Sequence, residues 1–263
     1  MIIKWPGGKK WIPLKHKNLF PIKYNTYLEP FMGSGAVFFG LQPSKALLSD
    51  INSRLVNLFI ELRDDPEGLF CSTQELINSH SEKQYYEIRD KFNTSEPSAA
   101  HFLYLNRTCF NGVYRENKKG EFNVPVGKRN SSFFPFNYED FKVFSDALKH
   151  AELSCEDCFS ALEKASEGDF IYIDPPYLKN EDNYESFRKY GKDIFNRRKL
   201  EELSSTLNEL SSKCKILISN FDLEDVKILF DSNWNLKSVE QMSYISGSGK
   251  GRKAMQEVLI YNY

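Results

Sequence analysis

Short apolar runs that end in polar or glycine-rich turns are the first regular pattern along the chain. Residues 27–31 run into a turn with two glycines, and residues 46–49 run into Asp50. Each run has the length of a buried strand, and residues 36–41 between them suit a helix. A strand, a helix and a second strand in this order predict a βαβ unit, which favours a parallel sheet.

Helical spacing replaces this pattern in the middle of the chain. Residues 53–93 are predicted to be mostly helical, and residues 99–107 to form another apolar helix beyond an interruption at Pro97. From residue 106 to 135 the chain becomes rich in Gly, Asn, Pro, Lys and aromatic residues, and its piece 120–126 suits a hairpin or an extended loop. An irregular module therefore follows the first βαβ unit.

The last part of the chain returns to α/β character at residue 138. Asn196 can cap a helix that carries leucines at helical spacing, namely Leu200, Leu203, Leu207 and Leu210. The predicted strands of this part cover residues 170–173, 215–219, 234–239 and 257–261. We therefore expect one α/β domain that is interrupted by an inserted module, rather than two domains joined by a linker.

Composition narrows the class of protein. A chain of 263 residues with 41% hydrophobic and 27% charged residues is expected to form a packed globular core. No apolar run approaches the ~20 residues of a membrane span, so we expect a cytoplasmic protein with no membrane partner. Five cysteines in a chain of this length do not form a disulfide scaffold. The pair Cys155 and Cys158 lacks the further ligands that structural zinc needs, and we expect no metal site.

Positive charge is concentrated in three blocks, although the formal net charge is only −1. The blocks cover residues 1–28, 107–130 and 188–199, and a further basic segment holds Lys250, Arg252 and Lys253. Together they can form a cationic groove that binds a polyanion. Each block by itself can also be an ordinary solvated face, so charge alone leaves both interpretations open.

The turn after the first predicted strand holds Phe31, Gly33 and Gly35. Glycines at such a turn let the backbone approach a ligand closely beside a helix N-terminus. Asp50 ends the next strand, where a carboxylate can accept both hydroxyls of a ribose. These features predict a nucleoside cofactor. Phe38 stands where the dinucleotide fingerprint needs a third glycine, which disfavours a nicotinamide enzyme.

The segment Asp174-Pro175-Pro176-Tyr177 follows a clear strand and is the most specific feature of the chain. Two successive prolines fix the backbone and remove two N–H donors, which leaves the Asp174 carboxylate and the Pro175 carbonyl as acceptors. An exocyclic amino group offers two N–H donors to such a pair, and Tyr177 offers a flat ring to an unstacked base. The alternative is a proline-rich turn with a buried tyrosine.

With the motifs around it, this segment resembles the Dam-like (D12 class, alpha-group) family of DNA adenine-N6 methyltransferases. The similar segments are K-W-P-G-G-K at 4–9, E-P-F-M-G-S-G at 29–35, D-I-N at 50–52, Y-L-N-R at 104–107, N-G at 111–112, G-E-F-N-V-P at 120–125, D-P-P-Y at 174–177 and I-S-N at 218–220. The resemblance implies a Rossmann-like, S-adenosylmethionine-dependent methyltransferase sheet with an inserted helical and hairpin DNA-recognition domain. Residues 1–55 and 151–263 would form the catalytic domain, and residues 56–150 the target-recognition domain.

The resemblance also implies roles for individual residues. S-adenosylmethionine would be bound by Trp5, Lys9, Phe31, Gly33, Gly35, Asp50 and Asp174. The catalytic group would be Asp174, Pro175, Pro176 and Tyr177, with Asp174 and Pro175 holding the adenine amine and Tyr177 stacking on the flipped base. No metal and no covalent enzyme intermediate is needed, because the sulfonium is already an activated methyl donor, so catalysis reduces to positioning and electrostatics.

The same resemblance implies a set of contacts to double-stranded DNA, made by Lys4, Arg107, Phe110, Asn111, Val113, Arg115, Pro125 and Lys128. Phe110 and Asn111 match positions that enter the duplex near the flipped adenine, and Arg115 matches a guanine-reading arginine. Such an arginine is worth ~1–3 kcal/mol of discrimination. Lys4 matches a contact to the outer guanine, while Val113 and Pro125 match contacts to thymine methyl groups. GATC is therefore the expected target, with simple phosphate contact as the alternative for Arg115 and Lys128.

We expect a monomeric enzyme that methylates adenine N6 in duplex DNA by base flipping. Two alternatives within the family are the same chemistry at a different short sequence and a catalytically inactive DNA-binding homologue. A third alternative is a methyltransferase of another planar amine, such as cytosine N4 or a glutamine side chain. Those families usually carry serine or asparagine in place of Asp174.

Overall fold

The computed structural model describes residues 1–94, 98–128, 134–177, 195–230, 232–242 and 254–263. The strands within these residues are β1 Tyr27–Glu29, β2 Ala46–Asp50, β3 Ala151–Cys155, β4 Phe170–Ile173, β5 Lys215–Phe221, β6 Asn235–Met242 and β7 Ala254–Tyr261. They form one seven-stranded sheet in the order β3-β2-β1-β4-β5-β7-β6.

The sheet is mixed. Strands β1 to β5 pair in parallel with one another, whereas β7 lies between β5 and β6 and runs antiparallel to both. The central strands β1 and β4 are buried along their whole length, as is usual for parallel strands that are covered on both faces. The expected α/β sheet and its parallel βαβ start are thereby confirmed.

The described helices are α1 Trp11–Lys15, α2 Ala36–Leu41, α3 Ser53–Asp64, α4 Pro66–Asn78, α5 Glu82–Thr94, α6 Ala99–Thr108, α7 Tyr138–Leu148, α8 Cys158–Glu163, α9 Arg197–Leu210 and α10 Glu224–Lys227. The helix predicted at 36–41 is confirmed. The helical stretch predicted at 53–93 is divided into three helices. The first division falls where Asp65 caps the N-terminus of α4 and Pro66 occupies its first turn. The predicted cap Asn196 accepts a hydrogen bond from the Lys199 N–H.

Side chains alternate between the two faces of β4 and so take part in two apolar cores. Phe170 and Tyr172 belong to the core on one face, whereas Ile171 and Ile173 belong to the core on the other. The leucines of α9 pack into the second core, which explains their helical spacing. Most helices between residues 53 and 148 contribute to the first core. The inserted region therefore folds onto the sheet through shared apolar packing.

Between α6 and α7 the inserted region contains a hairpin segment, residues 109–126, that is tied to α5. Isolated bridges pair Cys109 with Val126 and Glu116 with Phe122. Asn93 on α5 exchanges two hydrogen bonds with the backbone of Phe122, at 2.8 and 2.9 Å. The Tyr85 hydroxyl, also on α5, donates to the Val124 carbonyl at 2.8 Å. The extended loop predicted at 120–126 is confirmed as one arm of this segment.

Several predictions concern residues beyond those described. Pro97, residues 188–194 of the third basic block, and Lys250, Arg252 and Lys253 lie outside the described residues. In the part of the chain that the structure describes, no helix is both long and apolar enough to cross a bilayer.

Candidate active site

Three strand ends meet at one edge of the sheet. Strand β1 lies between β2 and β4 and is parallel to both, so the turns that follow these three strands are neighbours. The glycine turn follows β1, Asp50 ends β2, and Asp174 follows β4. The carboxyl edge of parallel strands is the usual place for ligands in such sheets. The residues predicted to bind a cofactor and those predicted to act in catalysis are therefore brought together.

The glycine turn is held by Asp50. Its Oδ2 accepts the Gly33 N–H and its Oδ1 accepts the Asn52 N–H, both at 3.0 Å. Burial raises the pKa of the Asp50 carboxyl, and these backbone N–H groups oppose that rise. Gly33 and Gly35 have φ angles of +49° and +64°, which side-chain-bearing residues rarely adopt. A Cβ on Gly33 would lie 3.0 Å from Cδ1 of Trp5, so glycine also makes room for the indole.

One carboxylate oxygen of Asp174, Oδ1, is already bound by neighbouring side chains. Its Oδ1 accepts the Ser219 hydroxyl at 2.8 Å and lies 3.2 Å from Nζ of Lys9. Because the single Ser219 hydroxyl proton goes to Asp174, the Tyr172 hydroxyl 2.8 Å away donates to Ser219. Oδ2 of Asp174 accepts no hydrogen bond from any residue that the structure describes. About one fifth of the Asp174 side chain, 20%, is exposed, so Oδ2 can serve a ligand.

Lys9 is a buried ammonium between two carboxylates. Its side chain is only 5% exposed, and Nζ donates to the Gly7 carbonyl at 2.7 Å. Nζ lies 3.2 Å from Asp174 and 3.8 Å from Oε2 of Glu257. A buried charge is tolerated when it is paired and hydrogen-bonded, and both conditions hold here.

The ring of Tyr177 is packed within the same cluster. It meets the ring of Phe221 edge to face at 4.5 Å, and Nζ of Lys9 lies 4.5 Å from its centroid. Its hydroxyl donates to Oε2 of Glu257 at 2.9 Å. Burial, with Asp174 and Glu257 nearby, raises the pKa of Tyr177 well above its usual value, so the hydroxyl stays a donor. Stacking of Tyr177 on a flipped base stays a prediction.

A second buried carboxyl lies beneath the glycine turn. Glu29, at the end of β1, is 3% exposed and accepts hydrogen bonds from the Tyr27 hydroxyl and the Phe38 N–H. Burial raises the pKa of Glu29 to about 8, and the charges of Asp174 and Asp50 add to the rise. The carboxyl therefore remains largely protonated at neutral pH.

Sequence reasoning missed Glu257 as a residue of the site. It lies on β7 opposite Phe221 of β5, which places it beside Tyr177 and Lys9. The available signal was one acid that opens the otherwise apolar run of a closing strand. That signal does not by itself say which face or neighbour the acid meets, because the pairing of β7 with β5 is not encoded locally.

Lys4 lies against the end of α6 and the 3₁₀ turn Phe110–Gly112, at the base of the hairpin segment. The Asn106 side chain accepts from the Lys4 N–H at 2.9 Å and donates to the Lys4 carbonyl at 2.7 Å. Gly112 has a φ of +64°, and a Cβ there would lie 2.2 Å from Cδ of Lys4. The aliphatic stem of Lys4 therefore packs on the bare backbone of Gly112. Burial and the charge of Arg107 lower the pKa of the Lys4 ammonium.

Other predicted DNA contacts lie in or beside this 3₁₀ turn. Phe110 is 51% exposed, which is unusual for a large aromatic residue, and Asn111 is exposed beside it. The Phe110 N–H donates to the Pro125 carbonyl at 2.9 Å, and the Val113 N–H to the Phe110 carbonyl at 3.3 Å. Pro125 and Lys128 are exposed. An exposed turn that carries an aromatic and an amide side chain can enter a groove.

Arg115 is oriented by Asn123 across the hairpin segment. Nε of Arg115 donates to Oδ1 of Asn123 at 2.8 Å, and Nη2 donates to its carbonyl at 3.4 Å. Nη1 has no partner among the described residues. The guanidinium is thus held in one plane with donors to spare.

Arg107 is placed differently from the expected DNA contacts. It is 7% exposed, with its guanidinium 5.1 Å from the centroid of the Phe136 ring, and burial lowers its pKa. A buried guanidinium that lies against an aromatic ring presents almost no surface to a phosphate. This placement does not support the expected contact of Arg107 with DNA.

Trp5 joins the two groups of residues. Its indole, which lies against Gly33, also stacks on Tyr114 at a centroid distance of 5.2 Å and on Phe102 at 6.4 Å. The ring of Phe31, in the same turn, meets Phe195 edge to face at 5.9 Å. The glycine turn and the hairpin segment are therefore connected through the aromatic stack of Trp5.

Comparison with known proteins gives one family for nearly the whole chain. The family model of D12 class N6 adenine-specific DNA methyltransferases matches residues 5–245. A DNA adenine methylase of Serratia marcescens is 34% identical, over 98% of this chain and 96% of its own length. The type II methyltransferase M1.LlaDCHI of Lactococcus lactis subsp. cremoris is 32% identical, over 99% and 94%. The type II methyltransferase M.MjaIII of Methanocaldococcus jannaschii is 33% identical, over 99% and 98%.

Proposed function

The chain belongs to the D12 class of N6 adenine-specific DNA methyltransferases, and we propose that it methylates the adenine of GATC in duplex DNA. The methyl donor is S-adenosylmethionine, and the adenine is rotated out of the helix before the transfer. One observation carries the proposal. Asp174, fixed at a strand end by two prolines, has Oδ1 committed to Lys9 and Ser219 and Oδ2 without a partner among the described residues.

The residues at the glycine turn fit S-adenosylmethionine. Each oxygen of Asp50 holds one backbone N–H and retains a lone pair that can accept a ribose hydroxyl. The bare backbone at Gly33 and Gly35 allows close approach of a ligand. The cofactor would be held by Trp5, Lys9, Phe31, Gly33, Gly35, Asp50 and Asp174. When bound, it would supply a methyl group on a positively charged sulfur, which leaves as a neutral thioether when the methyl–sulfur bond breaks and the methyl–nitrogen bond forms; the methylated nitrogen then loses one proton to water.

The chain's own residues then act on the adenine amine. Its lone pair is delocalised into the ring, and this makes the amine a poor nucleophile. The two N–H groups donate to the Asp174 carboxylate and the Pro175 carbonyl, and this arrangement favours a tetrahedral nitrogen with its lone pair free to react. Asp174 and Pro175 belong to a rigid turn, so the geometry exists before the base arrives. Pro176 stiffens the turn, and Tyr177 offers its ring to the base.

Rotation of the base out of the duplex costs a few kcal/mol, which other contacts must offset. The exposed ring of Phe110 and the neighbouring Asn111 are the side chains that fill the vacated space. They belong to the 3₁₀ turn against which Lys4 packs at Gly112.

Sequence choice rests on the same surface. Arg115 reads a guanine through the donors that Asn123 leaves free, and Lys4 contacts the outer guanine. Val113 and Pro125 contact thymine methyl groups, and exposed Lys128 contacts a phosphate. In this proposal residues 56–150 hold the recognition elements, and residues 1–55 and 151–263 hold the catalytic elements. The boundary at residue 55 falls within α3, which packs on β2 and β3. The enzyme acts as a monomer in the cytoplasm.

A transfer assay tests the proposal. The protein is incubated with methyl-labelled S-adenosylmethionine and either a duplex that carries one GATC site or a matched duplex with these four bases scrambled. Label confined to the GATC duplex, recovered as N6-methyladenine, is the expected result. Equal label in both duplexes, or label only in other sequences, would refute GATC as the target while preserving the chemistry. No label in any duplex would identify a DNA-binding protein without turnover.

A further inference from the structure

One buried carboxylate faces the active site and has no part in the proposed chemistry. Glu257 is 8% exposed, and β7 places it directly opposite Phe221 of β5. Phe221 in turn packs against the ring of Tyr177. Strand pairing therefore places Glu257 beside the turn at residues 174–177, although the two are far apart in the sequence.

Glu257 contacts two residues of the site with the same oxygen. Oε2 accepts the Tyr177 hydroxyl at 2.9 Å and lies 3.8 Å from Nζ of Lys9. Lys9 also contacts the Tyr177 ring, since Nζ lies 4.5 Å from its centroid. The three side chains thus form a closed triangle in which each touches the other two. Asp174 joins this triangle through Lys9.

The charges in this cluster are balanced only in part. Two carboxylates, Asp174 and Glu257, share the ammonium of Lys9, with Asp174 the nearer. Burial and the charge of Asp174 raise the pKa of Glu257, whereas Lys9 and the Tyr177 hydroxyl lower it. A buried acid is costly unless it is paired and hydrogen-bonded, and among the described residues the carboxylate of Glu257 is paired with Lys9 and accepts a hydrogen bond from Tyr177.

We propose that Glu257 is a positioning residue for methyl transfer, which fixes the plane of the Tyr177 ring through its hydroxyl and holds Lys9 between the two carboxylates. The inference rests on the proposed function, because it assigns Tyr177 to the target base and Asp174 to its amine. The Tyr177 side chain turns about two bonds. Packing on Phe221 restrains the ring body, and the hydrogen bond to Glu257 restrains its far end. With both ends fixed, the ring meets the base in one orientation.

Glu257 also bears on Asp174. If Lys9 moved fully toward Asp174, it could engage the oxygen that the adenine amine needs. The attraction of Glu257 keeps the ammonium shared, so that Oδ2 of Asp174 stays available. Glu257 is thus expected to influence the transfer step rather than the binding of DNA.

The test compares Glu257→Gln with Glu240→Gln. The first variant removes the buried charge and keeps the size and an acceptor oxygen, and the second removes an exposed carboxylate on the neighbouring strand β6. Three quantities are measured for each protein: the single-turnover rate of methyl transfer, the dissociation constant for the duplex, and the midpoint of thermal unfolding. Because small misplacements near reacting atoms cost up to ~100-fold, we expect Glu257→Gln to slow the transfer by about 10- to 100-fold. Duplex affinity should be unchanged, and Glu240→Gln should match the wild type in all three quantities.

Two further variants separate positioning from a purely structural role. Tyr177→Phe keeps the ring and loses the hydroxyl, and the double variant Glu257→Gln/Tyr177→Phe completes a double-mutant cycle. If Glu257 acts through the hydroxyl, the double variant should be slower than the wild type by less than the product of the two single losses. Multiplicative losses, or a Glu257→Gln variant that transfers methyl at the wild-type rate, would overturn the proposal.

A measurement without turnover keeps this inference distinct from the proposed function. Tyrosines are replaced by 3-fluorotyrosine, and the fluorine resonance of Tyr177 is assigned as the one missing in Tyr177→Phe. It should shift or broaden in Glu257→Ala and stay in place in Glu240→Gln. An unmoved resonance in Glu257→Ala would refute the positioning role. A moved resonance in a protein that labels no DNA would support the contact and reject the proposed function instead.

Discussion

The indole of Trp5 stacks on the phenol ring of Tyr114, with ring centroids 5.2 Å apart and planes inclined by 26°. Trp5 also lies against Gly33 in the glycine turn, whereas Tyr114 lies in the hairpin segment beside Arg115. One aromatic contact thus spans the two halves of the proposed reaction, methyl donor and target sequence. Because aromatic pairs pack with defined geometry, the two halves are held in a fixed relation.

Replacement of Asp174 should remove catalysis and leave DNA binding largely intact. Asp174→Ala and the isosteric Asp174→Asn both lose the carboxylate that, in the proposed mechanism, accepts a hydrogen bond from the adenine amine. We expect methyl transfer to fall by roughly 100- to 1000-fold or more, the scale seen when a preorganised electrostatic contact is removed. Label transfer and gel-shift titration measure the two properties, with Asp146→Ala, an exposed aspartate on α7, as the control. Methyl transfer at the wild-type rate in either Asp174 variant would contradict the proposed mechanism.

Replacement of Arg115 should relax sequence choice more than it slows the chemistry. A bidentate arginine contact to guanine is worth ~1–3 kcal/mol, so preference for GATC over a duplex with the guanine replaced should fall by about 10- to 100-fold in Arg115→Ala. Competition between the two duplexes for limiting enzyme measures this preference. Lys118→Ala, an exposed lysine on the same segment, provides the control. If Arg115→Ala slowed transfer equally on every duplex, Arg115 would be a phosphate contact.

Gly112→Ala should destabilise the fold for two separable reasons. The φ of +64° disfavours a side chain, and the added Cβ would fall 2.2 Å from Cδ of Lys4. We expect a loss of ~1–3 kcal/mol in the free energy of unfolding, measured by urea titration. Gly120→Ala is a matched control, because Gly120 has a φ of +80° and its nearest neighbour lies 4.0 Å away. Equal losses in the two variants would show that Lys4 does not pack on Gly112.

Glu29 should make stability fall as the pH rises through the neutral range. Burial raises its pKa from 4.5 to about 8, so between these values the folded protein holds a proton that the unfolded chain releases. The contribution to stability is complete below about pH 4.5 and is lost as the pH rises toward 8, at up to roughly 1.4 kcal/mol per pH unit. Glu29→Gln removes this titration, so its stability relative to the wild type should increase from pH 5 to pH 8. The control Glu87→Gln, at an exposed position, should leave the pH dependence of stability unchanged. If the stability of Glu29→Gln relative to the wild type did not change with pH, the Glu29 carboxyl would be ionised in the folded protein.

Local patterns predicted most of the elements. The sequence correctly predicted the strand at 170–173, the helix at 36–41 and the cap at Asn196, because burial, periodicity and capping act over a few residues. The carboxyl edge of the sheet follows from parallel pairing, so the approach of Asp50, Gly33 and Asp174 was predictable as well. These features depend on short-range chemistry and one general rule of topology.

The rest depends on pairings between distant segments. Glu257 reaches Tyr177 only because β7 turns back beside β5, and Arg107 is buried only because Phe136 packs over it. Neither partner lies within a helical turn or a hairpin of its counterpart. A basic block read along the chain therefore cannot separate a buried arginine from an exposed one.

The position of β7 also constrains the order in which the molecule can fold. Strand β6 precedes β7 in the chain, yet it joins the sheet only through β7, which lies between β5 and β6. In the nascent protein β6 must therefore wait for a later segment, a non-local step of the kind that slows folding. That later segment also delivers Glu257 to Lys9 and Tyr177. Docking of β7 on β5 therefore both closes the sheet and brings Glu257 beside Lys9 and Tyr177, so the cluster of these three side chains forms only when the last strand is in place.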